Sequence, residues 1–420
     1  MNKLFVLHNS NLVGELTEDD NEHFKFKYTS QWLENEKAFS LSLALKLDRC
    51  AYGHLETKSF FENLLPEGEL REILESHSNL SIHSEFDFLK AFGVDCAGAF
   101  TISMDSRHAG ALNRDKKEIK LTTLYKYLER KQSLTDVIVN QHGARFSLAG
   151  AQDKFPVICA QDKLYIPLGG EPTTHILKPC VRHHKDTEDT PYNEYFCMSL
   201  AKKVGLVVPS VTLIQGGFPL YLVERFDRKI KGGEVSRIHQ QDFCQARGIT
   251  SRKKYESDGG PSLASNYKLI EENSALPLLD LKQYLNWMWF NLFIGNNDCH
   301  SKNLSFICSE GGLRLSPFYD LLSTSIYKEL SQQFTYKVGG QVYWYKLKRR
   351  HIDILATEIG VSSTILFSLG KEMVSRLKTN LPALVEDFTS QFVGIKTANR
   401  IEKEIHKRID HISKGAFILS

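Results

Sequence analysis

Hydrophobic and polar positions fall into different textures along the chain. Up to about residue 100 the apolar runs are short. Asn9, Ser10 and Asn11 separate KLFVLH from LVGEL, which predicts a hairpin. HFKFKY alternates apolar and basic residues, the pattern of a half-buried strand. SFFENLLPEGELREILESH carries a helical pattern, and AGAFTISM reads as a closing strand. The polar run MDSRHAGALNRDKKEIK reads as a linker. From about residue 140, RFSLAGAQDKFPVIC, LYIPLG and THILKP are short strand-like runs. NEYFCMSLAKKVGL predicts a helix stopped by Gly205, and SVTLIQGGFPLYLVERFDR two strands about a Gly-Gly turn. Beyond about 262 the periodicity is mainly helical. Only NLSFICSEGGLRLSPFYD interrupts it, with the pattern of a hairpin.

This order predicts an α+β chain: an antiparallel-sheet lobe, a mainly helical lobe, and a small N-terminal α/β subdomain. The expected divisions are 1–105, a linker over 106–138, a sheet lobe over 139–260, and a helical lobe over 261–420. Two lobes leave a cleft between them, a favoured place for a ligand. No internal repeat or low-complexity tract is visible.

Composition narrows the class without defining it. The chain has 420 residues, 42% hydrophobic and 25% charged, as in an ordinary globular protein. Its formal net charge of +3 is too mild to argue for nucleic acid by itself. The N-terminus has only a four-residue apolar run, so no signal peptide is expected. The longest greasy stretch, YLNWMWFNLFIG, carries two asparagines and is too short to cross a membrane. The eight cysteines are scattered with no Cys-x-x-Cys pair, which predicts reduced thiols in the cytoplasm and no zinc site.

The chemistry concentrates in IGNNDCHSKN, residues 294–303, directly after the greasiest helix. One reading is a loop of capping and turn residues leaving the core, with Cys299 as filler. The other is catalytic. Asp298 is followed five residues later by Asn303, then by a hairpin that ends at Asp320. Phosphoryl transfer uses this set: an acid to orient the attacking hydroxyl, and an Asn and an Asp to hold Mg²⁺ against phosphates. The Asp-to-Asn spacing equals that of protein kinases, whereas Asp-x-His-x-x-Asn is closer to phosphoinositide-type kinases. A phosphate cation is also needed. Lys178 ends the strand THILK, and Glu194 lies sixteen residues on, at the margin of a helix's apolar stripe. An acid so placed wants a cation, in the manner of the kinase strand-lysine to helix-glutamate pair. The bland alternative is an N-terminal Glu favoured by the helix dipole. SLAGAQDK (147–154) is in the right place for a phosphate loop but holds one glycine. RKK (252–254) and KLKRR (346–350) read as solvated charge runs.

Taken in order, FENLLPEGELR, SLAGAQDK, THILKP, NEYFC, VERFDR, HQQDFCQ, KYESDGGP, IGNNDCHSKN and LSPFYDLLS resemble the HipA family, toxin kinases of type II toxin–antitoxin pairs. The resemblance runs from the N-terminal hairpin to at least Asp320; the C-terminal helices are generic. It implies a two-lobed, protein-kinase-like core using ATP and Mg²⁺, with Asp298 as the catalytic acid and Asn303 and Asp320 as metal ligands. It places Ala149, Gly150, Ala151, Gln152, Asp153 and Lys154 in the phosphate loop and Lys178 on the phosphates. Glu224, Arg225 and Phe226 fall at the adenine hinge, with Asp227 near the ribose. His300, Ser301, Lys302, Asn303, Tyr319 and Asp320 complete the nucleotide site. Ser147 matches the serine whose autophosphorylation inactivates the family. The resemblance further implies a HipB-like helix-turn-helix antitoxin, operator DNA reached through it, and a protein substrate such as glutamyl-tRNA synthetase or another aminoacyl-tRNA synthetase. A lipid or small-molecule kinase and a non-catalytic corepressor remain as alternatives, and no membrane association is expected.

Overall fold

The computed structural model describes residues 2–77, 82, 84–106, 115–150, 152–181 and 187–417. The N-terminal hairpin pairs Asn2–His8 with Asn11–Glu18, and Asn9 takes the left-handed conformation that its turn requires (φ 52°). Phe24–Tyr28 alternates as its pattern demands, with Phe24, Phe26 and Tyr28 buried and both lysines exposed. Thr101–Ser103 closes this five-stranded sheet on the far edge of the first strand. The helical stretch that follows Phe24–Tyr28 in the chain is two helices, His54–Glu62 and Gly68–His77. Pro66 lies in the break between them, where a proline denies the chain a helical hydrogen bond. Asn63, Leu64 and Glu67 of that break line the cleft between the lobes.

A six-stranded antiparallel sheet forms the next layer. Its order is Val211–Ile214, Leu220–Glu224, His175–Lys178, Phe155–Ala160, Lys163–Pro167, Lys116–Glu118. The run RFSLAG that reads as strand is loop apart from an isolated bridge between Gly150 and Pro66, and the strand begins at Phe155. The polar run expected to be a linker is partly structured. Lys116–Glu118 adds the edge strand, and Leu121–Glu129 and Leu134–His142 are helices. The strand Gln240–Asp242 pairs with Ser305–Ser309 rather than with the six-stranded sheet. Residues 240–242 are thus hydrogen-bonded to the hairpin that follows the long apolar helix.

The sheet's two faces serve different cores. Leu177, Leu220 and Leu222 pack into one apolar cluster with Phe26, Phe61 and Phe88 of the N-terminal subdomain. Tyr221 and Val223, one residue out of phase, join the cluster of the helical lobe. Subdomain and sheet thus share a core instead of meeting across a hinge. Polar groups reinforce the seam. The fully buried Asp95 carboxylate accepts from Arg228 at 2.9 Å, Arg237 at 3.1 Å and Thr173 at 2.6 Å.

The helix Pro277–Ile294 is apolar on nearly every side and buried from Tyr284 to its end. Gly295 terminates it in the left-handed region (φ 75°), where a Cβ would lie 2.7 Å from Ser325 Oγ. The loop 296–303 leaves from this fixed point. Among the described residues, no single helix is long and apolar enough to cross a membrane.

Candidate active site

Four segments converge on the cleft between the sheet and the helical lobe. Strand His175–Lys178 ends by pointing Lys178 at helix Thr190–Lys203, which supplies Glu194. Lys178 Nζ donates to Glu194 Oε1 at 2.7 Å and to Asp320 Oδ1 at 2.8 Å. Asp320 reaches this position from a left-handed backbone (φ 59°), a conformation that Asp tolerates better than most residues. Asn303 Nδ2 donates to Asp320 Oδ2 at 3.3 Å and to the Asp298 carbonyl at 3.1 Å. Asp298 Oδ1 accepts from Tyr255 Oη at 2.7 Å. Lys178, Glu194, Asp320, Asn303 and Asp298 thus form one connected set around a cleft of about 510 Å³.

Charge is arranged unevenly across the set. Burial raises the Asp320 carboxyl, but Lys178 and Lys154 overcome it and hold the group well below the usual carboxylate range. Burial pushes the Glu194 carboxyl up to about 7 against the pull of Lys178, and the nearby Asp320 charge adds to the rise. Burial likewise raises Asp298, a shift that the Tyr255 hydroxyl opposes and the Asp320 charge reinforces. Lys154 is pushed down to about 8 by burial and by Lys178. Its ammonium lies against Gly150 (φ 110°), where a Cβ would come within 2.4 Å of it. The His300 ring is lowered to about 3 by burial and stays neutral, with Nδ1 buried and unpartnered. Two lysines, an unpartnered imidazole nitrogen and a glycine loop face the same space, a combination suited to a polyphosphate.

Because Glu194 shares Lys178 with Asp320, its removal leaves the lysine one carboxylate, not none. Glu194→Gln is expected to reduce kcat by about tenfold and to change stability by less than ~1 kcal/mol, since one buried carboxylate that resists ionisation disappears. Single-turnover transfer and a urea melt of the same protein check both halves.

At the other end, Phe226 stacks on Tyr319 with ring centres 5.4 Å apart, and Ala97, Ile176 and Val223 line the same end of the cleft. Tyr319 Oη donates to the Lys302 carbonyl at 2.7 Å, which ties this end to the catalytic loop. Glu224 also lines the cleft.

Several residues expected at the nucleotide have other work. The Asp153 carboxylate accepts from the amides of Leu134 and Thr135 and from Ser133 Oγ, so it caps the helix Leu134–His142. Ser301 is fully buried and bonded to Asn266 and Tyr336, away from the cleft. The Asp227 carboxylate expected near the ribose is occupied by Arg225, Arg228 and the Gly98 amide. Arg225 lines the cleft, but its guanidinium turns into that same buried network. Ala151 lies outside the described residues. Ala149 and Gln152 line the cleft. Ser147 is fully buried, its hydroxyl donating to the Leu64 carbonyl at 2.6 Å.

The sequence also concealed a participant. Glu67, from the break between the two N-terminal helices, reaches the catalytic loop and pairs with Lys302 and, at 2.7 Å, with Lys254. Against the cost of burial, these lysines hold its carboxyl down at about 2. Its amide donates to the Gly150 carbonyl at 3.1 Å, so the same residue grips the loop that carries Gly150. The only local signal is an acid following a proline, which says nothing about a partner more than 180 residues away.

A lysine–glutamate pair under an antiparallel sheet, facing an Asp–Asn–Asp set on a helical lobe, defines a protein-kinase-like fold and site. Two family models match the chain: the HipA N-terminal domain over residues 4–103 and the HipA-like C-terminal domain over residues 146–381. Y4mE of Sinorhizobium fredii is 32% identical over 403 residues, covering 94% of this chain and 95% of that one. The Serine/threonine-protein kinase toxin HipA of Shewanella oneidensis is 30% identical over 409 residues, covering 92% of each. A solved Shewanella oneidensis HipA, in complex with HipB and its operator DNA, superposes with a TM-score of 0.82 at 25% identity, over 98% of this chain and 97% of that one. The chain belongs to the HipA family of kinases.

Proposed function

We propose that this protein is the serine/threonine kinase toxin of a type II toxin–antitoxin module, acting in the cytoplasm. It transfers the γ-phosphate of ATP to a protein of the translation apparatus, an aminoacyl-tRNA synthetase such as glutamyl-tRNA synthetase, and so arrests growth. The observation that carries the reading is the single hydrogen-bonded set Lys178–Glu194–Asp320–Asn303–Asp298. Lys178 and Lys154 bind phosphate oxygens. The Asp298 carboxylate orients a serine or threonine hydroxyl and accepts its proton as the new O–P bond forms and the bond to the ADP oxygen breaks. Asn303 and Asp320 offer hard oxygens only, and no group of three or more His, Cys, Asp or Glu side chains surrounds a metal position among the described residues. That donor set fits Mg²⁺, which prefers few protein ligands together with phosphates and water. Held there by Asn303 and Asp320, it would neutralise charge on the phosphates.

A small HipB-like antitoxin neutralises the kinase, and the pair acts as a corepressor on operator DNA through the antitoxin. The relatives support this, since one is a named toxin and another was solved with HipB and operator DNA. Ser147 is the autophosphorylation site. Its hydroxyl must first leave the Leu64 carbonyl and its buried position, so modification is incompatible with the phosphate loop as it stands.

The test is label transfer from γ-labelled ATP with Mg²⁺, with the purified chain alone and in cell lysate. Label on the chain mapping to Ser147, lost in Ser147→Ala, together with a labelled lysate protein, is the expected result. Label confined to lipid or small metabolites would move the assignment to the phosphoinositide-type alternative, and no transfer from a folded protein would leave only the corepressor role.

A further inference from the structure

The nucleotide cleft has a neighbour. A second cavity of about 310 Å³ opens between the N-terminal subdomain and the segment 251–258 of the helical lobe. Glu67, Lys254 and Tyr255 line both spaces and form the partition between them. Tyr255 is also the residue bonded to the Asp298 carboxylate, so the second cavity meets the cleft at its catalytic end. One wall is Pro66, Gly68 and Arg71, with Glu85; the other carries Arg252 and Asp258.

An acceptor hydroxyl has to reach Asp298 from outside the nucleotide cleft, with its flanking chain lying in something. We infer that this cavity is the acceptor subsite, which holds the extended serine- or threonine-bearing segment of the protein substrate. The inference rests on the kinase reading above. It gives the N-terminal subdomain a direct part in substrate recognition, as one wall of the groove.

The charges on the walls define the selectivity. Glu67 is paired with Lys254 and Lys302, and Arg71 with Glu75 and Glu85, so the wall charges Glu67, Lys254, Arg71 and Glu85 are largely spent; Glu62 is buried and accepts from the Ser251 hydroxyl at 2.8 Å. Arg252 and Asp258 are exposed, and among the described residues neither forms an ion pair. Among the described residues, a bound segment therefore meets one exposed uncommitted cation and one exposed uncommitted anion. It should favour an acidic side chain at the position facing Arg252 and a basic one at the position facing Asp258, with the acceptor between neutral neighbours.

The experiment uses the full-length chain, γ-labelled ATP and a positional-scanning library of serine and threonine peptides. Wild type, Arg252→Glu and Asp258→Lys are compared. Each reversal is expected to change the charge preference at one flanking position about three- to tenfold, in opposite senses, as partly exposed charge pairs do. The KM for ATP should stay within about twofold, since neither side chain lines the nucleotide cleft. Unchanged selectivity in both variants overturns the inference. If wild type labels itself at Ser147 but accepts no peptide, the kinase reading stands and the comparison moves to the labelled lysate protein. A fall in that label at constant Ser147 label then supports the groove, and equal labelling overturns it. No label on any species, the chain included, sinks the kinase reading and the groove with it.

Discussion

Asp298→Asn is expected to lower phosphoryl transfer by roughly 10²- to 10⁴-fold, the range for loss of a positioned general base. Shape is preserved, and the Tyr255 hydroxyl can still donate to the amide oxygen. What is lost is the charge proposed to orient and deprotonate the acceptor. The same substitution should not cost stability. Desolvation in the cleft raises the Asp298 pKa above its ordinary value, but the residue stays exposed to solvent, so its ionisation weighs little on the fold at neutral pH. The variant is therefore expected to melt at the same temperature as wild type or slightly higher. A raised folded pKa also means that the base loses its charge, as pH falls, sooner than an ordinary aspartate would. The acid limb of kcat/KM should accordingly lie above the ordinary aspartate value. A variant with near-wild-type transfer would remove Asp298 from the mechanism, and inactivity combined with a large drop in melting temperature would point to structure instead.

Asp95→Ala has its largest effect on stability. Three guanidiniums, Arg225, Arg228 and Arg237, face this one carboxylate, and only Asp227 would remain to balance them. Removing one member of a buried ion network typically costs about 3–5 kcal/mol, because the remaining charges stay buried and unpaired. That is a large share of the ~5–15 kcal/mol by which a folded chain is stable. Burial opposes the Asp95 charge, but the arginines overcome it and hold the pKa well below the ordinary value. The sign of the linkage follows: this stabilisation is full above the unfolded carboxyl pKa and is lost as pH falls towards the depressed folded value. Wild type should thus keep the contribution at pH 5 and lose it only in strong acid. Urea midpoints at neutral pH compare wild type, Asp95→Ala and Asp95→Asn. Equal midpoints would mean that the arginines find other partners or water.

Much of the fold was legible because its signals are local. The alternation in Phe24–Tyr28 and the all-round apolarity of Pro277–Ile294 state their own burial. The catalytic face was legible for a related reason: Asp298, Asn303 and Asp320 lie on one loop and one hairpin, so their spacing is set by the chain itself. Lys178 and Glu194 were within reach because adjacent elements carry them. The polar stretch before residue 140 misled because an exposed edge strand, Lys116–Glu118, has no buried residue to announce it. Asp153 and Ser301 misled in another way. They sit inside site motifs, yet Asp153 caps a helix and Ser301 satisfies a buried Asn. Glu67, Lys254 and Tyr255 were missed because only packing brings them to the cleft. No periodicity or spacing connects residue 67 to residue 302.

The short break at 63–67 touches both halves of the machinery: Leu64 holds Ser147, Glu67 holds Gly150 through its amide, and its carboxylate holds Lys302. In thermodynamic terms the N-terminal subdomain and the nucleotide cleft are linked binding sites. Any partner that shifts this segment on docking must change the affinity for nucleotide, and nucleotide must change the affinity for that partner by the same factor. Occupancy of the cleft would then be readable from outside the kinase core, without any contact between the partner and ATP.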